Sequence, residues 1–222
     1  MEQATANKKP RTKADPTKKI KETYINYVLE NGSKPASIFK FVKELKIKEA
    51  VFYDHFNSFE NVERAIWEDL FSQTVSAIKS DAVYDEYSSR EKLLAFFYTW
   101  IETLKSERSF ILQSVPKKMK PEFTPYYLEG VRTGFKEWIA EVLLEAKETE
   151  EVLVRPIVSD RYDDAIWLQF LFILGFWTKD DSKGFEKTDA AIEKSVNLAF
   201  DLMGRGPLDA MVDFGKFLFQ NR

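Results

Sequence analysis

The sequence predicts an all-α protein, with a small N-terminal three-helix unit and a larger C-terminal helical bundle. Three observations predict it. Glycine and proline are scarce, eight of each in 222 residues, and most fall between segments whose apolar residues recur at helical spacing. No segment alternates apolar and polar residues as a half-buried strand does. Charge is divided along the chain: residues 1–50 hold twelve Lys/Arg against six acids, net +6, so that the other 172 carry −9.

The first helix is expected over Thr17–Asn31, with Asp15 as N-cap, Pro16 at the first position and Gly32 as the stop. Ile20, Tyr24, Tyr27 and Val28 form its buried stripe. A short second helix starts at Ser37 and carries Ile38, Phe41, Val42 and Leu45 at offsets 0, 3, 4 and 7. The third, Lys48–Phe56, carries Val51, Phe52 and Phe56; Ser58 then caps a long fourth helix to about Ser80, with Val62, Ile66 and Leu70 facing inward. Ser88 and Glu91 have the spacing of a capping box for a helix to about Glu107. A short helix, Ser109–Val115, stops at Pro116, and Pro116–Pro125, with three prolines and three lysines, reads as a loop. Helices follow over Tyr126–Glu150, Asp160–Thr178 and Phe185–Met203, and Pro207 starts the last, Leu208–Asn221.

Composition excludes several functions. Without cysteine there is no disulfide framework, thiolate metal site or thiol catalysis, and one histidine, His55, cannot build a site that needs two imidazoles. No glycine-rich phosphate loop, nucleophile–base pair or metal-ligand spacing is present, so neither an enzyme nor a cofactor or metal is expected. The first nineteen residues are polar and basic with no apolar h-region, and the longest apolar run, Ala165–Trp177, is too short to span a bilayer. A cytoplasmic protein is the expectation.

Ser37–Phe56 is the informative segment. Two short amphipathic helices joined by Lys46-Ile47-Lys48 have helix-turn-helix spacing, in which the second helix offers its exposed face to the major groove of DNA. The run Phe52-Tyr53-Asp54-His55-Phe56-Asn57-Ser58, with Glu60 and Val62 after it, resembles the end of the recognition helix in the TetR/AcrR family of transcription regulators. The resemblance covers about residues 17–70; beyond it only helix number, length and order match. It implies a basic arm over 1–16, a DNA-binding domain over 17–60 and an effector-binding and dimerisation domain over 61–222. Ser37, Lys48, Glu49, Ala50, Tyr53 and His55 are the expected DNA-facing residues. Phe52 and Phe56, four apart, lock the helix to its core, while a phenol at Tyr53 can donate to phosphate oxygens and the imidazole at His55 either does the same or is a structural residue hydrogen-bonded at the helix end. The chain departs from the family pattern in four places. Lys46 stands at a turn position usually held by glycine, Lys48 where a polar cap opens the recognition helix, and Phe59 where a phosphate-reaching lysine often follows. Glu49 suits the dipole at the helix start but repels phosphate.

In the larger region, Asp160–Thr178 is apolar on nearly every face and needs partners on more than one side. The next helix has a stripe of small residues, Ala191, Ser195 and Ala199, that allows close helix approach. The expected two-fold interface therefore comprises Trp167, Phe170, Leu174, Ala191, Ser195 and Ala199, in the position where the resembled family builds a four-helix dimer bundle. Resemblance also places an effector pocket among the middle helices, where Trp100, Tyr126, Tyr127 and Trp138 offer a wall for an apolar or aromatic small molecule. The function implied is a ligand-responsive regulator, a repressor, that binds a palindromic operator in double-stranded DNA as a homodimer. The alternative is a small-molecule or lipid-binding protein of the same fold that has lost sequence-specific DNA binding.

Overall fold

The computed structural model describes residues 15–115, 124–155, 158–204 and 206–220. Residues 1–14 of the expected arm, 116–123 of the expected loop and Asn221 lie outside them. Among the described residues every regular element is helical. The chain divides into two compact units between Glu63 and Arg64.

The smaller unit contains α1 (Pro16–Asn31), α2 (Ile38–Leu45), α3 (Glu49–Tyr53) and the start of α4 (Phe59–Lys79). Local chemistry sets the helix ends. The Thr17 N–H donates to Asp15 at 3.0 Å, Pro16 opens the first turn, and Gly32 adopts a left-handed conformation (φ 65°) in which its N–H closes on the Val28 carbonyl. Ser37 caps α2 by accepting from the Lys40 N–H, and Ser58 stands in the same role before α4, accepting from the Asn61 N–H. Regular α-helix in the third segment is shorter than the expected Lys48–Phe56. After Tyr53 the backbone tightens, the His55 N–H bonding three residues back to Phe52.

The core of this unit is a ring cluster. Phe41 meets Tyr24, Phe52 and Phe59 edge-on at centroid distances of 6.3, 6.3 and 5.4 Å, and Phe59 stacks on Tyr24 at 5.5 Å. Edge-to-face pairs of this kind contribute about 0.5–1.5 kcal/mol beyond their area. Beside them, Glu63 is 1% exposed. The Tyr24 hydroxyl donates to one of its carboxylate oxygens at 2.6 Å and the Lys34 ammonium to the other at 2.9 Å. A buried carboxylate persists because both oxygens are occupied by donors.

The larger unit takes the rest of α4 and continues with α5 (Ser89–Ser106), α6 (Arg108–Ser114), α7 (Glu129–Glu148), α8 (Tyr162–Trp177), α9 (Glu186–Met203) and α10 (Pro207–Gln220). The capping box forms as spaced: the Ser88 N–H donates to Glu91 at 2.8 Å while the Glu91 N–H donates back to the Ser88 hydroxyl. Phe96, on α5, is the hub of the core, with Trp138 stacked at 4.6 Å, Phe135 at 5.2 Å and Phe170 at 6.3 Å. At Gly134 of α7 an added Cβ would lie 2.8 Å from the Phe71 ring, so glycine is what lets α4 approach α7 there. The α8–α9 corner is set by Asp180, whose carboxylate accepts from the N–H and hydroxyl of both Ser182 and Thr188. Burial opposes ionisation of Asp180, but these four donors outweigh it and hold its pKa below the ordinary aspartate value.

Candidate functional site

In the smaller unit all six residues expected to face DNA are solvent-exposed. Lys48, Glu49, Ala50 and Tyr53 lie together on and just before α3, and Ser37 sits at the start of α2. Tyr53, 49% exposed, is braced edge-on by the Phe52 ring at 5.7 Å, which fixes the phenol without burying its hydroxyl. His55 lies past the end of α3, where its Nδ1 is 3.2 Å from the Thr17 hydroxyl at the start of α1. The imidazole thus ties the end of the recognition segment to α1.

The charge on this surface is the notable feature. Lys40, Lys43, Lys46 and Lys48 are exposed and carry no side-chain hydrogen bond or ion pair among the described residues. Lys19 differs, donating to the Leu45 carbonyl at the end of α2. Phe39, on the same helix, is 63% exposed and was missed in the sequence reading. Its position one residue off the apolar stripe was the signal. Phe59 belongs to the ring cluster, so the residue that departs from the family's phosphate-reaching lysine does structural work instead.

In the larger unit, three of the four expected effector-site residues gather around a residue the periodicity did not single out, Trp67. Trp100 and Tyr127 approach it at 6.1 and 5.3 Å, and the half-buried Tyr126 meets Tyr127 edge-on at 5.5 Å. Trp138 is engaged elsewhere, stacked on Phe96 with its indole N–H donating to the Tyr84 hydroxyl at 3.1 Å. The indole nitrogens of Trp67 and Trp100 are buried and have no hydrogen-bond partner among the described residues. An unmatched buried donor of this kind costs about 1–3 kcal/mol.

The expected two-fold interface is corrected in part. Trp167, Phe170 and Leu174 are 0%, 0% and 1% exposed within the single chain, so no neighbouring molecule reaches them. Trp167 stacks on Phe170 at 4.9 Å and packs on Phe135, so this side of α8 is the unit's own core. Because α8 is apolar all round, periodicity does not reveal which face turns outward. The outward face carries Leu168 and Phe172, each 51% exposed. With Ala191, Ser195 and Ala199 of α9 they line an apolar cleft of 810 Å³. Gln169 bridges its two walls, the side-chain amide donating to the Ser195 hydroxyl at 3.0 Å.

Among the described residues no group of three or more acidic, histidine or cysteine side chains is placed to hold a metal ion, and no helix is long and apolar enough to cross a membrane.

The model of the tetracyclin repressor-like C-terminal domain matches residues 92–218, more than half of the chain. No curated protein sequence matches. A solved structure of a protein of unknown function from Rhodococcus sp. RHA1 is similar with a TM-score of 0.59 at 13% identity, over 89% of this chain and 100% of that one. Another, of a protein assigned to the TetR family of transcription regulators from Shewanella sp. PV-4, is similar with a TM-score of 0.57 at 15% identity, over 85% and 98%. At these identities the two structures speak to the fold.

Proposed function

The chain belongs to the TetR family of transcription regulators, and from that premise we propose that it is a ligand-responsive repressor, binding a palindromic DNA operator as a homodimer. The observation that carries the reading is the surface of α2 and α3, where four lysines without intramolecular partners border the exposed residues Glu49, Ala50 and Tyr53. Binding of a polyphosphate is driven by release of its condensed counterions, and only cations not already neutralised within the protein contribute. The domain plan follows, with 17–60 for DNA and 61–222 for effector and dimer. Residues 1–16 add four Lys/Arg, Lys8, Lys9, Arg11 and Lys13, to the same task, as an arm along the duplex.

The cleft between α8 and α9 supports the two-fold interface. A monomer that exposes Leu168, Phe172 and Leu198 on adjoining helices presents a continuous apolar patch of the kind that marks association. A second copy applied by two-fold symmetry covers both patches at once and sets two recognition helices about 34 Å, or a multiple of it, apart. Around Trp67, Trp100 and Tyr127 the unmatched indole donors support an apolar or aromatic effector with a hydrogen-bond acceptor. Such a ligand acts on DNA binding only through unequal affinity for the two states of the protein. The reading requires no catalysis, and it places the protein in the cytoplasm with the DNA.

The test is a binding titration against the DNA flanking the protein's own gene. A preference over random duplex, with affinity falling steeply as salt rises, is expected. No preference would reject the operator.

A second reading rests on Glu49 and Phe59. With a carboxylate at the front of α3 and the family's phosphate-reaching lysine replaced by a core ring, the chain becomes a small-molecule or lipid carrier of the same fold. Mass spectrometry of the purified protein for a bound lipid, beside the DNA titration, separates the two.

A further inference from the structure

Lys46 occupies the position after α2 with φ 57° and ψ 37°, the left-handed region. Its N–H donates to the Lys43 carbonyl and the next N–H, of Ile47, donates to the Val42 carbonyl, a paired closure that caps the helix and usually employs glycine. The same chain uses glycine for this purpose after α1, where Gly32 has φ 65°. A side chain in this conformation brings Cβ against the following carbonyl, a strain that glycine avoids. Elsewhere in the chain such strain has a visible return. Phe185, with φ 66°, lays its ring 4.4 Å from the Arg108 guanidinium. Lys46 has no such return: it is exposed, and its ammonium has no partner among the described residues.

We propose that Lys46 is a DNA phosphate contact, kept at a strained turn position because its ammonium is needed there. The proposal rests on the reading of α2–α3 as a DNA-binding surface. Backbone strain held at a functional position without internal compensation marks a residue whose use lies outside the chain. An anion is the partner, because Lys40, Lys43 and Lys48 stand unpaired within six residues and would repel any cationic surface. Lys46 also supplies, from the turn before α3, the phosphate-directed cation that the chain lacks after it, where Phe59 packs against Tyr24 and Phe41. Such a contact positions the protein on the duplex and reads no base.

Because a phosphate contact is independent of sequence, a random-sequence duplex suffices as the probe. Affinity is followed by fluorescence anisotropy at a series of salt concentrations for the wild type, Lys46→Gly, Lys46→Gln and Lys46→Arg. Lys183→Gln, in the larger unit, controls for net charge. Lys46→Gly is expected to weaken binding about fivefold and to reduce the slope of log affinity against log salt by about 0.9, one phosphate's share. At the same time it raises the melting temperature by roughly 2 °C, since glycine relieves the turn. Lys46→Gln shows the same loss of affinity without the gain in stability, while Lys46→Arg and Lys183→Gln bind as the wild type does. A glycine variant that melts higher but keeps wild-type affinity and slope would overturn the proposal, as would one whose affinity and melting temperature fall together. Wild-type protein with no salt-dependent binding would instead overturn the DNA-binding reading itself.

Discussion

Lysines on α2 and in the turn after it stand unpaired, whereas many in the larger unit are held by carboxylates. Lys40, Lys43, Lys46 and Lys48 have no ionic partner among the described residues. Lys79, Lys92, Lys105, Lys136 and Lys187 pair with Glu141, Glu145, Glu102, Asp164 and Asp181 at 2.6–3.2 Å. The energetic gain from an exposed pair is small, about 0–1 kcal/mol, so stability alone explains little of the contrast. Availability explains more. A lysine already neutralised releases no counterion when it meets a phosphate, and a lysine left in water does. In the larger unit Lys79, Lys92 and Lys136 each join two helices, whereas the four unpaired lysines of the smaller one are those that the proposed reading assigns to DNA.

The largest expected effect tests the interior side of that division. Replacing Trp167 by Ala removes a fully buried ring stacked on Phe170 and should cost about 3–5 kcal/mol of unfolding free energy, measured by urea denaturation. DNA affinity per folded dimer should be unchanged. If the variant unfolded like the wild type but sedimented as a monomer, Trp167 would belong to an intermolecular interface after all.

The exposed side of α8 and α9 comes next. Phe172→Glu combined with Leu198→Glu puts two charges into the apolar cleft at side chains 51% and 58% exposed. The fold should tolerate them, and the dimer should not. Analytical ultracentrifugation is expected to show dimerisation weakened by at least about tenfold in Kd, with operator affinity falling in parallel. A variant that remains dimeric would move the two-fold axis elsewhere.

Much of the fold was legible because its signals are local. Asp15, Gly32, Ser58 and the Ser88–Glu91 box lie within a few residues of the backbone groups they satisfy, and these features form as spaced. What escaped the sequence depends on distant partners. Glu63 looks like a solvated charge on a helix, yet Tyr24 and Lys34, 39 and 29 positions away, donate to its buried carboxylate. The outward face of α8 escaped for a different reason. A helix apolar on every side has no periodic contrast, so the sequence offers Trp167 for the interface and passes over Phe172, and only packing separates them. Of the effector-site residues, Trp100, Tyr126 and Tyr127 do come together, but their organising ring, Trp67, lies one position off the apolar stripe that marked Ile66 and Leu70.

A smaller effect probes how the larger unit uses a charge for structure. Asp180 has a native pKa below its unfolded value of about 3.9. Its contribution is therefore complete above the unfolded pKa and is lost as pH falls through the native one. Asp180→Asn should lower the melting temperature at pH 7, and the gap to the wild type should close as the pH is taken below about 4. A gap that stayed constant across that window would mean that the amide lost packing and not a charge-assisted cap.

Tyr53→Phe is the smallest change and the one that isolates binding from folding. The Tyr53 ring leans on Phe52 and its hydroxyl meets water, so removing one oxygen leaves the core as it was. Stability should stay within about 0.5 kcal/mol of the wild type, as for other surface substitutions. A phenol donating to phosphate is worth about 0.5–1.5 kcal/mol, a few-fold in affinity, and the loss should be the same on operator and random duplex because phosphate carries no sequence. Loss confined to the operator would make Tyr53 a base reader. Unchanged affinity on both would leave the unpaired lysines as the sole phosphate contacts of this surface, and the contrast between the two units would then rest on charge alone.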